Sequence, residues 1–339
     1  MPINSKVFGK FLDKDIVLTQ LSSENKFFIS VMNWGAAIQD WKILNNDNKP
    51  TNIVLGFEKF DFYPAHSPFF GAIIGRVINR ISKGEFNLNR SKFNLPVNRP
   101  PNHLHGGPEG FGTSLWDMEI NKVQNSVTFY ISSKDGHQGY PGNVDASVKY
   151  TLSGDCLSIE MLANTDRPTP INMGQHNYFN LSSINGINSD YNICNHQLYI
   201  NSSSYTETNK DLIPTGNFIK TKNSSMDFSK FKKINKIKLD DNFVLNENFE
   251  NETAAELYNP QNGLQLKLWT NQPGLQVFNA PMMNIKPPGL NNLKYSSFAG
   301  ICLEAQKFPD SVNQHHFPSI IIEPNQSYYQ KTEISVNFT

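Results

Sequence analysis

The chain is short of cysteine, of excess charge and of long apolar runs, and each shortage closes a class of function. It carries only three cysteines, Cys156, Cys194 and Cys302, among 339 residues. Their number is odd, their spacings are wide and no Cys-x-x-Cys pair occurs. Reduced thiols in the cytoplasm are therefore expected, rather than a disulfide framework. Lysine plus arginine equals aspartate plus glutamate, at 30 each. Such a balance gives no electrostatic footprint for nucleic acid or for an anionic membrane. No apolar run approaches the roughly 18–20 residues of a membrane span. The N-terminal MPINSKVFGKFLDKDIVLTQ lacks an apolar core followed by a small-residue cleavage site. Helical spacing is scarce too. The 20 prolines and 21 glycines are spread along the whole chain, which leaves little room for long helices.

Period-two alternation takes their place. In GEFNLNRSKFNLP, Phe86 and Leu88 alternate with polar residues, a short turn follows, and Phe93 and Leu95 resume the pattern. In DASVKYTLSGDCLSIEML, Val148, Tyr150 and Leu152 share a face, Ser153-Gly154-Asp155 turns the chain, and Leu157, Ile159 and Met161 share the next face. In NGLQLKLWTNQPGLQVF, Leu264, Leu266 and Leu268 precede a Gln-Pro-Gly turn, then Leu275 and Val277 follow. All three read as hairpins. Many short strands with frequent turns imply an all-β fold, a large antiparallel β-sandwich. A chain of this length buries a large core without staples. With no internal repeat and no clear linker, one domain over residues 1–339 is expected.

A few stretches carry more chemistry than a sandwich core needs. PINMGQHNYFNLS sets His176 among Asn172, Gln175, Asn177 and Asn180. A hydrogen-bonded loop histidine is the ordinary explanation. GRVINRISKG places Arg76 and Arg80 in an apolar segment, where either serves equally as a structural ion-pair partner. NHLHGG alternates His103 and His105, so the two face opposite sides of a strand, and its glycines permit a close backbone approach. LDDNFVL offers Asp240 or Asp241 before a strand. Glu304, inside ICLEAQKFPD, is harder to explain structurally, because a buried carboxylate costs several kcal/mol unless paired or functional. Metal ligation fits poorly: His103-x-His105 and His315-His316 each point apart, and no His-x-x-x-His accompanies them. No Gly-x-Ser-x-Gly nucleophile elbow and no phosphate-binding glycine loop are present. What remains is an acid, a base and polar binders, suited to proton transfer on a neutral, hydroxyl-rich molecule.

Taken in order, NWGAAIQDWKI, GAIIGRVINRISKGEF, NHLHGGPEGFGTSLW, DGHQGYPGNVDASVKYTL, INMGQHNYFNLS, LDDNFVL, QPGLQVF and ICLEAQKFPDSVNQHHFPS resemble the aldose 1-epimerase (galactose mutarotase) family over nearly the whole chain. The resemblance implies a galactose mutarotase-like supersandwich. It also implies cofactor-free, metal-free interconversion of the α and β anomers of free hexoses such as galactose and glucose, by a monomer or a homodimer. By the same resemblance Glu304 matches the catalytic base and His176 the catalytic acid. His105, Arg76, Asp240 and Gln276 match substrate-binding groups. Three stretches depart from the family pattern: Asp241 replaces a histidine, His137-Gln138 replaces two carboxylates, and His315-His316 replaces Pro-Asn. The competing expectations are a non-catalytic carbohydrate-binding sandwich, an epimerase for phosphorylated hexoses and a metal-dependent sandwich enzyme.

Overall fold

Alternating burial organises the long strands. A computed structural model describes residues 3–24, 26–45, 47–182, 191–246 and 249–339. In strand Val144–Ser153 every second residue from Val144 to Leu152 is buried. Its partner Cys156–Thr165 buries Leu157, Ile159, Met161 and Ala163 in matching register, with Val148 opposite Met161 and Tyr150 opposite Ile159. The turn expected at Ser153-Gly154-Asp155 lies between them, with Ser153 paired to Cys156 and Gly154 at φ 60°, where the absence of a Cβ removes the steric cost. The hairpin of Glu85–Leu88 and Ser91–Asn94 also forms, turning on Asn89 and Arg90, both left-handed. Its Phe86 and Phe93 rings stack at 5.1 Å.

The third expected hairpin does not form. Leu264–Thr270 belongs to a nine-stranded antiparallel sheet, between Ala255–Asn259 and Tyr328–Phe338. Gly274–Phe278 belongs to a different, five-stranded sheet, between Asp240–Leu245 and Cys302–Gln306. The Gln-Pro-Gly segment thus carries the chain from one sheet to the other. Pro273 has no N–H to extend a ladder, and Leu266 and Val277 reach the same core from opposite layers.

That core also draws on a second five-stranded sheet made by the first five strands, from Asn4–Phe11 to Pro50–Asn52, through Ile29, Val31, Ile38 and Trp41. Each fully buried aliphatic side chain contributes about 1.5–3 kcal/mol relative to exposure. Buried polar bonds join the layers: the Tyr150 hydroxyl donates to the Ala36 carbonyl, and the Gln330 amide donates to the Ala305 carbonyl. Among the described residues helix is confined to short pieces such as Phe62–His66. No helix among the described residues is long and apolar enough to cross a membrane.

Candidate active site

The Asp240–Leu245, Gly274–Phe278 and Cys302–Gln306 strands present two chemically different faces. Asn242, Gln276 and Glu304 lie in one row across the sheet, and Asp240, Phe278 and Cys302 in the next, so all six point the same way. The residues between them, Phe243, Leu275, Val277, Leu303 and Ala305, point into the core. The polar face forms one wall of a cavity of about 770 Å³. Phe69, Asn79, Arg80, His105, His176 and Tyr178 contribute other parts of the lining.

His176 is held by its own backbone. Its N–H donates to the Ala72 carbonyl and its carbonyl accepts from the Gly71 N–H. The ring lies across two side chains of the neighbouring strand. Nε2 is 3.7 Å from Glu304 Oε1, and Nδ1 is 3.5 Å from Cys302 Sγ. Cys302 and Glu304 are two residues apart on one strand, which is why both meet the same ring. All three side chains are buried. Burial disfavours charge on each partner. It lowers the His176 pKa to about 4 and holds the Glu304 carboxyl well above the usual carboxylate range, with Asp240 adding to the rise.

Of the flanking amides placed beside His176 by sequence, Asn172, Gln175 and Asn180 brace the backbone instead, while the buried Asn177 amide has no hydrogen-bond partner. Asn172 exchanges two hydrogen bonds with Lys307, Gln175 donates to the Gly71 carbonyl, and Asn180 donates to the Ala299 carbonyl.

His105 follows the strand His103–Leu104 in a left-handed conformation. Its Nδ1 accepts the Asn79 backbone N–H at 3.2 Å, so the ring proton sits on Nε2. Burial and the nearby His176 hold its pKa well below 6.5. His105 is therefore a neutral donor, 5.2 Å between ring centroids from His176. His103 is structural, fixed by the Pro96 carbonyl and the Tyr140 hydroxyl. The adjoining Gly106 does permit a close approach, but to the backbone of Gly75 rather than to the cavity.

Asp240 Oδ1 accepts from Gln276 Nε2 at 2.8 Å, and its Oδ2 pairs with Arg80 at 3.4 Å. Asp241 also reaches the lining, whereas His137, Gln138, His315 and His316 do not.

Arg76 corrects the expectation. Its guanidinium is buried and committed to Ser133, Lys134, Pro141 and Gly142, with Thr169 nearby. It holds loops together and does not line the cavity; Arg80, four residues later, does. Phe69, Tyr178 and Phe278 are further lining residues that sequence reasoning passed over, because nothing local marks an aromatic as cavity-facing rather than core. Among the described residues one set of potential metal donors converges, His176, Cys302 and Glu304, within 4.8 Å of one another. Its two contacts, at 3.7 and 3.5 Å, use opposite nitrogens of one ring.

Comparison with known proteins adds to this geometry. The family profile described as aldose 1-epimerase matches residues 18–335. The galactose mutarotase of Mus musculus is 35% identical over 320 residues, covering 92% of each chain. The aldose 1-epimerase of Escherichia coli is 32% identical over 331 residues, covering 93% of this chain and 94% of its own. Among solved structures, an aldose epimerase homologue from C. elegans superposes with a TM-score of 0.88 at 22% identity, over 96% of this chain and 99% of its own. A galactose 1-epimerase from Lactobacillus acidophilus gives 0.84 at 24% identity, over 99% of each. At these identities the structural matches establish the fold.

Proposed function

The chain belongs to the aldose 1-epimerase family, and on that premise we propose that Glu304 and His176 are the base and acid that interconvert the anomers of a free aldose. The enzyme is an isomerase of the cofactor-independent kind. Ring opening removes the proton of the anomeric hydroxyl as the C1–O5 bond breaks, and the ring oxygen receives a proton with the departing electron pair. From the form of the pair that carries its exchangeable proton on His176, Glu304 takes the first proton and His176 gives the second. The open-chain aldehyde then turns about the C1–C2 bond and presents its other face. Closure reverses both transfers, so the protein ends in the protonation state in which it began.

The observation that carries this reading is the buried contact of His176 Nε2 with Glu304 Oε1, 3.7 Å apart at the cavity wall. The cycle needs one exchangeable proton on the pair. His105, as a neutral Nε2–H donor, and Arg80, Asp240 and Gln276 hold the sugar hydroxyls while the anomeric carbon turns. Galactose and glucose are the proposed substrates. The named groups all come from one chain, consistent with a single catalytic unit over residues 1–339, active as a monomer or a homodimer. The odd cysteine count supports a cytoplasmic setting.

Polarimetry of freshly dissolved α-D-galactose and α-D-glucose tests the proposal, with chelator present. Accelerated approach to an unchanged final rotation is expected. Sugar binding without acceleration would favour the binding sandwich, and a marked preference for a hexose 6-phosphate would favour the phosphosugar branch.

A further inference from the structure

Beyond Glu304 the same stretch of chain buries a second carboxylate. Asp310 is 2% exposed, and its partners are amides: Oδ1 accepts the Ser82 N–H at 2.9 Å and the Asn313 side-chain amide at 2.7 Å. Its own N–H donates to the Arg80 carbonyl at 3.0 Å. These bonds bracket Ile81 and fix the Arg80–Ser82 backbone from one side. Strand His103–Leu104 fixes it from the other, with Leu104 opposite Arg80 and His103 opposite Ile81. We infer that Asp310 is a positioning residue that clamps Arg80 to the strand carrying Glu304, so that the guanidinium that holds the sugar and the base that opens it keep a fixed spacing.

The pairing geometry explains why a clamp is needed. In an antiparallel ladder alternate residues turn their N–H and C=O away from the partner strand. His105 donates its N–H to the Asn79 carbonyl, so Ile81 bonds toward that strand while the Arg80 carbonyl and the Ser82 N–H turn away from it. Asp310 supplies both missing partners, the donor from its backbone and the acceptor from its side chain. It does so in a left-handed conformation at φ 55°, which aspartate tolerates better than most residues. Asn313, whose amide also donates to the Glu85 carbonyl at 3.0 Å, aims the carboxylate. The Arg80 side chain itself meets Asn79 and Asp240 at 3.4 Å each, so a backbone that drifts carries the guanidinium with it. The turn that holds Asp310 follows shortly after Cys302–Gln306, and the clamp thereby sets Arg80 against Glu304. The inference rests on the reading of Arg80 as a sugar ligand.

Steady-state polarimetry with galactose, on the full chain, gives the test. Asp310→Gly keeps the left-handed backbone and removes the acceptor. KM should rise about tenfold with kcat within about threefold, because a binding group is misplaced while the acid–base pair is untouched. Asp310→Asn, whose Oδ1 still accepts, should recover most of that loss. In an Arg80→Ala background Asp310→Gly should raise KM by no more than about twofold further, since the group it positions is gone. An unchanged KM in Asp310→Gly, or the same rise with and without Arg80, would overturn the clamp and leave the reading of Arg80 standing. If Asp310→Gly fails to fold, Asn313→Ala takes its place, with a KM rise of about threefold that again vanishes without Arg80. No rise there, or one that persists without Arg80, would overturn the clamp. An unchanged KM in Arg80→Ala alone would overturn the sugar-ligand reading, and the clamp with it.

Discussion

Burial moves His176 and Glu304 away from their ordinary values in opposite directions, and the rate inherits both shifts. In the unoccupied site, adding a proton to the singly protonated pair means charging His176, whose pKa lies near 4 rather than 6.5. Removing the last exchangeable proton means ionising Glu304, whose pKa is raised. The pH profile of kcat/KM should be a bell whose acid limb falls well below pH 6.5, the pair titrating as one unit. An acid limb at or above 6.5 would contradict the burial argument. Glu304→Gln should cut kcat by about 10²–10⁴-fold while sugar binding by calorimetry persists. The two arginines should separate cleanly. Arg80→Ala should weaken sugar binding in a folded enzyme. Arg76→Ala should lower the denaturation midpoint instead, because several buried carbonyls lose their donor at about 1–3 kcal/mol apiece. At this scale Glu304 was legible, as a carboxylate in an apolar run. Arg76 and Arg80 were not separable, since both sit among apolar residues and their difference lies in loops some 60 residues away. The thiol partner of His176, 126 residues distant, left no local signal.

At the scale of the element, the Cys302–Gln306 strand does two jobs on alternate residues. Cys302 and Glu304 face the site, and Leu303 and Ala305 face the core. Leu303→Ala should therefore cost about 2–5 kcal/mol of stability, measured by urea unfolding. Its KM for sugar should hardly change, and a large KM change would show that the two faces are not independent. Alternation made such strands readable, as in the Val144–Ser153 pair. It could not tell whether the next strand pairs in the same sheet or crosses to another. Leu264–Thr270 and Gly274–Phe278 have the same pattern either way, and only the partners supplied by distant segments decide.

The whole molecule keeps several imidazoles neutral inside it. His196 is the clearest, fully buried, its Nε2 accepting the Leu181 N–H at 3.0 Å and its pKa lowered from 6.5 to about 3. A histidine depressed in the native state contributes stability above pH 6.5 and loses it as pH falls toward the folded value, because the unfolded chain takes up the proton first. The stability gap between the wild type and His196→Asn, from denaturant midpoints, should accordingly narrow between pH 8 and pH 5. Loss or gain of one residue near Glu304 would have a graver effect. Cys302 and Glu304 would turn inward as Leu303 and Ala305 turned out, so the chemistry and the core would fail together. This stretch can vary by replacement but not by change of length. A lineage that kept the fold would inherit the spacing of the Glu304 carboxylate with it.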